Sequence, residues 1–172
     1  MKEKSDRAWQ QAVSFAARVH AGQLRKDGRT PYVAHPMRVA LTVRHVFGVE
    51  DETALVAALL HDVIEDTTTD YDDILAMFGR EAAAAVAALT KDARLPEAAR
   101  EAAYDRELTA ASWQARLVKL ADVYDNYCDL PDTTKRDKVA EKARRAIACA
   151  GDDPRLRPAI VLVRQLIGDV SP

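Results

Sequence analysis

Apolar residues recur every three to four positions along most of the chain, a spacing that places them on one face of an α-helix. The clearest case is Trp9, Ala12, Val13, Ala16 and Val19. No segment shows the sustained apolar–polar alternation that is typical of a half-buried strand. The pattern predicts helices near 5–21, 32–47, 51–63, 70–78, 80–90, 97–109, 112–129, 133–150 and 155–168. We therefore expect an all-α fold, a compact bundle of about eight to nine helices with short connections.

Two places interrupt the helical pattern. Phe78-Gly79 is expected to close one helix and to let the Ala-rich helix that follows begin. The stretch 91–100 is polar and carries Pro96, so we expect it to form the loosest connection of the bundle.

Length, composition and charge narrow the class of protein. A chain of 172 residues has the length of one typical domain, so residues 1–172 are expected to form a single domain. The net charge of −2 argues against nucleic-acid binding, which usually relies on a strongly basic surface. No apolar run approaches the ~20 residues needed to cross a bilayer, so we expect no membrane association. The charged N-terminus has no apolar signal core, which predicts a cytoplasmic protein.

The cysteine content excludes two kinds of stabilised scaffold. Cys128 and Cys149 are far apart and form no CxxC pair. A disulfide framework and a thiolate zinc site are therefore not expected. Both residues are predicted to be small, reduced members of the core.

The segment 54–67, ALVAALLHDVIEDT, carries the strongest chemical signal. It begins as an apolar helix and runs directly into His61-Asp62 and then Glu65-Asp66. Ionised groups are costly to bury unless they are paired or bound to a metal. On a continuous helix Glu65 would lie one turn after His61, on the same face. This arrangement predicts a metal-activated water with a carboxylate base beside it.

Two other segments can complete a ligand set. His35 precedes Pro36 and is expected at the entry or in the first turn of a helix. Asp122 ends a second apolar run, in LVKLADVYDN. Two imidazoles and two carboxylates would suit Mn²⁺, Fe²⁺ or Zn²⁺ better than Ca²⁺. The alternatives are a surface or capped core histidine at 35 and an Asp122 on a helix face that is paired with a lysine.

Together these segments resemble the HD-domain metal phosphohydrolases, and more closely the hydrolase domain of the Rel/SpoT alarmone enzymes and the single-domain small alarmone hydrolases. The matching segments are HAGQLRKDGRTPYVAHPMRVA (20–40), AALLHDVIEDT (57–67), FGREAAAAVAALTK (78–91) and VKLADVYDN (118–126). They follow the family's order and span most of the chain. The resemblance implies an HD-type helical bundle that removes the 3′-pyrophosphate of (p)ppGpp and releases pyrophosphate.

The resemblance also implies roles for individual residues, with a small nucleotide as the only partner. One Mn²⁺ would be held by His35, His61, Asp62 and Asp122. Glu65 and Asp66 would orient or deprotonate the attacking water. Arg25 and Lys26 would contact the nucleotide by stacking on its base or by neutralising phosphate, and Asn126 would help to hold the nucleoside.

The sequence departs from the family pattern after Leu-Ala-Asp. The family commonly continues with a basic residue and Leu, whereas this chain has Val123, Tyr124 and Asp125. Cys128 and Asp129 stand where Arg and a small polar residue or Asp are frequent. An adenine alarmone, (p)ppApp, therefore remains an alternative substrate, as do NADPH dephosphorylation and alarmone binding with little turnover.

Three further expectations concern residues outside that set. The basic segment 135–145 is either a wall for the pyrophosphate groups or a solvated helix face. His20 is interpreted as structural, and His45 has no assigned role. The chain has no room for a synthetase domain and no P-loop, so it is expected to hydrolyse alarmone and not to make it. The oligomeric state stays open.

Overall fold

The computed structural model describes residues 8–130 and 133–169. Within those ranges the chain forms helices and no β-strand, which confirms the all-α prediction. The helices are α1 (Ala8–Val19), α2 (Ala34–Leu41), α3 (Glu52–Leu60), α4 (Val63–Asp66), α5 (Tyr71–Leu89), α6 (Glu97–Ala110), α7 (Trp113–Cys128), α8 (Arg136–Ala150) and α9 (Arg157–Ile167). A π-helical turn (Thr42–Val46) extends α2, and a 3₁₀ turn (Thr133–Lys135) leads into α8.

Helices α3 and α7 form the centre of the bundle. Every residue from Ala54 to Leu60 in α3 is buried, because this helix is apolar on all sides and packs against α1, α2, α5 and α7. Helix α7 contacts α2, α3, α5, α6, α8 and α9. It carries Leu117, Val118 and Leu120 into the core, and the buried acids Asp122 and Asp125 follow one turn later. The polar ends of α3 and α7 are thereby brought to one place.

The predicted boundaries hold to within a few residues, with two differences. The helix expected over 51–63 stops at Leu60, and a separate short helix, α4, follows after Asp62. The helix expected over 32–47 begins at Ala34 and widens into the π-helical turn. The helices expected over 70–78 and 80–90 are separated, as predicted, by a sharp kink inside α5 at Gly79 (φ 85°, ψ 173°), a conformation that other residues rarely adopt. Residues 5–7 of the first predicted helix lie outside the described ranges.

The prediction that both cysteines are core residues is wrong for one of them. Cys149 is buried, but Cys128, in the last turn of α7, is exposed. Both are unpaired thiols, as expected. No helix among the described residues is long and apolar enough to cross a membrane.

Candidate metal centre and active site

Four polar side chains meet where α2, α3 and α7 pack together. His35 lies in the first turn of α2, His61 directly follows α3, Asp62 precedes α4, and Asp122 lies in the second half of α7. His35, His61 and Asp122 are buried, and the Asp62 side chain is one-fifth exposed. The structure thus brings together all four residues that the sequence predicts as metal ligands.

The ligand atoms of this group converge within a few ångströms. Nε2 of His35 lies 3.2 Å from Oδ1 of Asp122 and 3.6 Å from Oδ2 of Asp62. Nε2 of His61 lies 2.9 Å from the same Asp62 oxygen and 3.8 Å from Oδ1 of Asp122. One nitrogen or oxygen from each of His35, His61 and Asp62 falls within 4.8 Å of the other two.

Both imidazoles are oriented for metal binding. Nδ1 of His61 donates to the carbonyl of Ala58 (2.8 Å), and Nδ1 of His35 donates to Oδ2 of Asp125 (2.7 Å). Because Nδ1 is the donor in both rings, Nε2 is the nitrogen that faces the cluster and can offer its lone pair to a cation. Nε2 of His61 is buried and has no hydrogen-bond partner of acceptable geometry in the described structure. A buried polar atom without a partner is costly, so this set of side chains fits a divalent cation at this place.

The two carboxylates are held by neighbouring side chains. Nζ of Lys119 donates to Oδ2 of Asp122 (2.8 Å), and Nδ2 of Asn126 donates to Oδ1 (2.6 Å). Asp122 therefore has the lysine partner considered as an alternative above, while its Oδ1 still faces His35. The hydroxyl of Tyr32 lies 2.6 Å from Oδ2 of Asp62 and fixes that carboxylate.

The charges in the cluster stabilise one another. Burial alone would lower the pKa of His61, but the negative charges of Asp62 and Asp122 raise it to about 9. Burial would raise the pKa of Asp62, but the adjacent His61 imidazole lowers it to about 2. The pKa of Asp122 lies well below its usual value because Lys119 and the two histidines outweigh the effect of burial. A cation bound at the Nε2 atoms would take the place of the imidazole protons.

Glu65 and Asp66 lie on α4, at the wall of the same cavity. Both side chains are exposed. Oδ2 of Asp66 lies 2.9 Å from the Tyr32 hydroxyl, so this hydroxyl is shared between Asp66 and Asp62. Oε2 of Glu65 accepts from the backbone N–H of Lys91 (3.1 Å). The sequence expectation of one continuous helix from His61 to Glu65 is wrong, because the chain bends at Asp62 before α4 begins.

A cavity of about 780 Å³ opens beside this cluster and is large enough for a nucleotide. Acidic side chains surround the ligand cluster, and basic side chains line the cavity on both sides of it. The basic lining residues are Arg25, Lys26, Lys91, Lys119, Lys142 and Arg145.

One end of the cavity is formed by the turn that connects α1 to α2. Leu24 and Pro31 form an isolated β-bridge across this turn, which brings Arg25 and Lys26 to the cavity. Arg25 donates to Oδ2 of Asp129 (Nη2, 2.9 Å) and to Oδ1 of Asn126 (3.2 Å), and its guanidinium lies 5.7 Å from the centre of the Tyr32 ring. The turn and the end of α7 are thus joined by Arg25.

The opposite end of the cavity lies between α6, α7 and α8. The buried ring of Tyr104 is flanked by Lys91 (5.1 Å) and Lys119 (5.4 Å), and its hydroxyl has no hydrogen-bond partner in the described residues. Burial raises the pKa of Tyr104 to about 12, so the hydroxyl keeps its proton and remains a donor. Nζ of Lys91 binds Glu101.

The basic segment 135–145 divides between its two expected roles. Lys142 and Arg145 line the cavity, and Arg145 also binds Glu101 and Asp105. Arg144 faces away and pairs with Asp169 (2.7 Å). Lys135, Arg136 and Lys138 are exposed and do not line the cavity.

Two histidines lie outside the metal cluster, and several residues that contribute to the site were not predicted. His20 is buried, binds Oε1 of Gln23 and contacts the ring of Tyr32, which agrees with a structural role. His45 is exposed on the π-helical turn. Five residues that contribute to this site have no role in the sequence-based prediction: Tyr32, Arg38, Tyr104, Lys119 and Asp125. The spacing of Asp122 and Asp125 on one face of α7, with Asp129 directly after the helix, is a signal that could have indicated Asp125.

Comparisons with known proteins agree with this geometry. A family model described as "HD domain" matches residues 12–155. Curated relatives named guanosine-3′,5′-bis(diphosphate) 3′-pyrophosphohydrolase MESH1 are 38% identical in Danio rerio and 42% identical in Homo sapiens. The matches cover 78% and 70% of this chain and 75% and 68% of the relatives.

The fold is similar to that of a solved protein described as a metazoan orthologue of SpoT that hydrolyses ppGpp. The TM-score is 0.80 at 29% identity, and the match covers 95% of this chain and 97% of that one. The matched HD model and these relatives show that the chain belongs to the HD domain family, in the group that contains the MESH1 pyrophosphohydrolases.

Proposed function

We propose that this protein hydrolyses the 3′-pyrophosphate of alarmone nucleotides, as the names of its relatives describe for them. Water adds to the phosphorus bonded to O3′, the P–O3′ bond breaks, and O3′ takes up a proton. The products from (p)ppGpp are GDP or GTP and pyrophosphate. The observation that carries this proposal is the convergence of two imidazole Nε2 atoms and two carboxylates beside two further carboxylates at the cavity wall.

The ion that we propose for the centre is Mn²⁺, held by His35, His61, Asp62 and Asp122. Two nitrogen and two oxygen donors suit this ion, although the same set would accept Fe²⁺ or Zn²⁺. When bound, such an ion lowers the pKa of a coordinated water and neutralises phosphate charge.

Glu65 and Asp66 are proposed to orient the attacking water and to accept its proton. Their carboxylates lie at the cavity wall, and each is held by one donor, the Lys91 N–H for Glu65 and the Tyr32 hydroxyl for Asp66. One held oxygen leaves the other oxygen of each carboxylate available for water. This geometry is what a general base needs.

The basic groups at the two ends are proposed to bind different parts of the nucleotide. The charge of Arg25 is already balanced by Asp129, so its flat guanidinium is better suited to stack on a base than to neutralise phosphate. Asn126 holds both Arg25 and Asp122, and its role at the nucleoside is to fix that arginine. Lys26, Lys91 and Lys142 supply positive charge for phosphate.

Two further proposals concern the cellular compartment and the domain organisation. Two unpaired thiols, Cys128 and Cys149, are typical of a reducing compartment, and the cytoplasm is our proposal for it. We also propose that residues 1–172 act as one hydrolase domain.

The test is the initial rate of pyrophosphate release from ppGpp and ppApp, and of phosphate release from NADPH, with Mn²⁺ added and with Asp62→Ala as the control. We expect turnover of an alarmone that the control lacks, and the ratio of kcat/KM values assigns the base. Faster phosphate release from NADPH would identify a phosphorylated dinucleotide, and not an alarmone, as the substrate. Tight alarmone binding by the metal-loaded protein without product would identify a binding protein instead.

A second pair of variants tests the division of roles. Asp62→Ala removes a charged ligand and should abolish metal binding, whereas Glu65→Ala should keep the metal and slow the reaction. Equal loss of metal in both variants would place Glu65 among the ligands and contradict the assignment.

A further inference from the structure

Asp125 is a buried carboxylate with no role in the proposed reaction. It lies on α7, three residues after Asp122, and is only 5% exposed. It is not among the residues that line the cavity. In sequence it is one of the residues that depart from the family pattern after Leu-Ala-Asp. A buried carboxylate is costly unless its contacts compensate for it.

The contacts of Asp125 are made with two residues of α2. Oδ2 accepts from Nδ1 of His35 (2.7 Å), and Oδ1 accepts from Nε of Arg38 (2.7 Å). Nη2 of Arg38 donates to Oδ2 as well (3.0 Å), which completes a bidentate pair. Arg38 lies three residues after His35, so one carboxylate on α7 binds two neighbouring side chains of α2. The bidentate pair fixes the plane of the carboxylate.

The hydrogen bond between His35 and Asp125 determines which ring nitrogen of His35 can bind a cation. A carboxylate can only accept, so Nδ1 must carry a proton, and Nε2 is the nitrogen that can offer its lone pair to a cation. Nε2 is the atom that lies 3.2 Å from Asp122 and 3.6 Å from Asp62. The negative charge behind the ring also increases the electron density at Nε2 and makes it a stronger donor to a cation.

His61 provides a comparison within the same site. Its Nδ1 donates to a neutral acceptor, the carbonyl of Ala58. The carbonyl fixes the tautomer of His61 without adding a negative charge. The two imidazoles are therefore supported in different ways, and only His35 has an ionised group behind it.

We propose that Asp125 is a positioning residue for the metal centre: it fixes the tautomer and orientation of His35 and strengthens its bond to a divalent cation, while Arg38 fixes Asp125. This inference rests on the proposed metal site but not on the identity of the nucleotide. Arg38 also binds Asp129 (2.7 Å), which in turn holds Arg25. The support for His35 is thus continuous with the support for the proposed base-stacking residue.

The first test compares Mn²⁺ affinity in Asp125→Asn, in the wild-type protein and in a matched control. The control is Asp153→Asn, which also removes the charge of a carboxylate that binds arginines, Arg116 (3.0 Å) and Arg155 (2.7 Å), and is 8% exposed. Asp153 does not line the cavity. Competition with a metal-sensitive fluorescent chelator gives the dissociation constant without any nucleotide.

We expect Mn²⁺ to bind Asp125→Asn 10- to 100-fold more weakly than the wild type, as is typical when the group that supports a histidine ligand is lost. The control should stay within twofold, even if both variants unfold at a lower temperature. A folded Asp125→Asn that binds Mn²⁺ within twofold of the wild type would overturn the proposal and leave Asp125 as a link between α2 and α7 only.

A spectroscopic measurement decides the question without relying on the variant's folding. In ¹⁵N-labelled, Zn²⁺-loaded wild-type protein, the His35 ring should show a proton on Nδ1 that exchanges slowly with water. A proton on Nε2, or a rapidly exchanging Nδ1, would refute the assigned tautomer. Because neither measurement uses nucleotide, failure of the alarmone assay would not be confused with failure of this inference.

Discussion

Removing the hydroxyl of Tyr32 should slow the reaction while leaving nucleotide binding intact. This one hydroxyl lies 2.6 Å from Oδ2 of Asp62 and 2.9 Å from Oδ2 of Asp66, and so links a proposed metal ligand to a proposed base. Tyr32→Phe removes the link and keeps the ring, which contacts His20 (4.8 Å between centres) and Arg25. The change therefore affects the carboxylates without creating a cavity.

The size of the effect follows from the kind of hydrogen bond that is lost. A hydrogen bond to a charged group contributes about 1.5–3 kcal/mol. Asp66 is exposed, so water replaces part of that contribution. We therefore expect the activation free energy to rise by about 1.4 kcal/mol when the hydroxyl is removed. That value corresponds to a kcat about tenfold lower. KM should change by less than about twofold, since the hydroxyl is bound to carboxylates and the ring that supports Arg25 remains.

The assay is steady-state pyrophosphate release at saturating Mn²⁺, with Tyr124→Phe as the control. Tyr124 also lies in the bundle and packs edge-on against Phe47 (5.8 Å), but it does not line the cavity. The control should keep the wild-type kcat. A Tyr32→Phe enzyme with an unchanged kcat, or with a KM that accounts for the whole loss, would refute the reasoning.

Three further predictions concern the metal, the phosphate end and acid stability. Mn²⁺ at 100 times its Kd should stabilise EDTA-treated protein by about 2.7 kcal/mol in thermal unfolding, and Asp62→Ala should not respond. Lys142→Met should raise the KM for ppGpp about tenfold, a loss of about 1.4 kcal/mol, while the exposed Lys138→Met should not change it. The pKa of Asp153 is lowered to about 2, mainly by hydrogen bonding from Arg155, so its stabilising effect is present above about pH 4 and is lost as the pH falls towards 2. Asp153→Asn should therefore lose less unfolding free energy than the wild type between pH 4 and pH 2 in denaturant titrations.

Much of the fold and the four converging side chains could be predicted because local signals specify them. Seven apolar residues in a row before His61 require a buried helix, and a shorter apolar run, interrupted by Lys119, indicates a second before Asp122. Two buried helices that both end in ionisable groups bring those groups together, since scattered sites would each leave a charge unpaired in the core.

The rest of the site depends on contacts between residues that are far apart in the sequence. Arg38 and Asp125 are 87 residues apart, and Arg25 and Asp129 are 104 apart. No local periodicity specifies such pairs, because each residue is compatible with an exposed helix face when considered alone. The bend at Asp62, where φ is −102° and ψ is −3°, is not marked in the sequence, because residues 61–66 contain no Gly or Pro that would interrupt a helix.

The bend has a consequence for the site. It separates His61 and Asp62 from α4, so that Glu65 and Asp66 are held by Lys91 and Tyr32 and not by the end of α3. The exposed Cys128 also shows that the local sequence does not reveal where a helix leaves the core. A small thiol at the end of a buried helix looks like a core residue, but α7 has already left the core at that point.

The most direct test of the central claim is the identity of the products formed from ppGpp by Mn²⁺-loaded protein. Reactions quenched with EDTA and resolved by anion exchange should yield GDP and pyrophosphate in equal amounts, with no orthophosphate, and Asp62→Ala should yield neither. Orthophosphate as the first product would mean that a terminal phosphate is removed and that the P–O3′ bond is not the one broken. Unchanged ppGpp with the metal bound would contradict the alarmone hydrolase assignment itself.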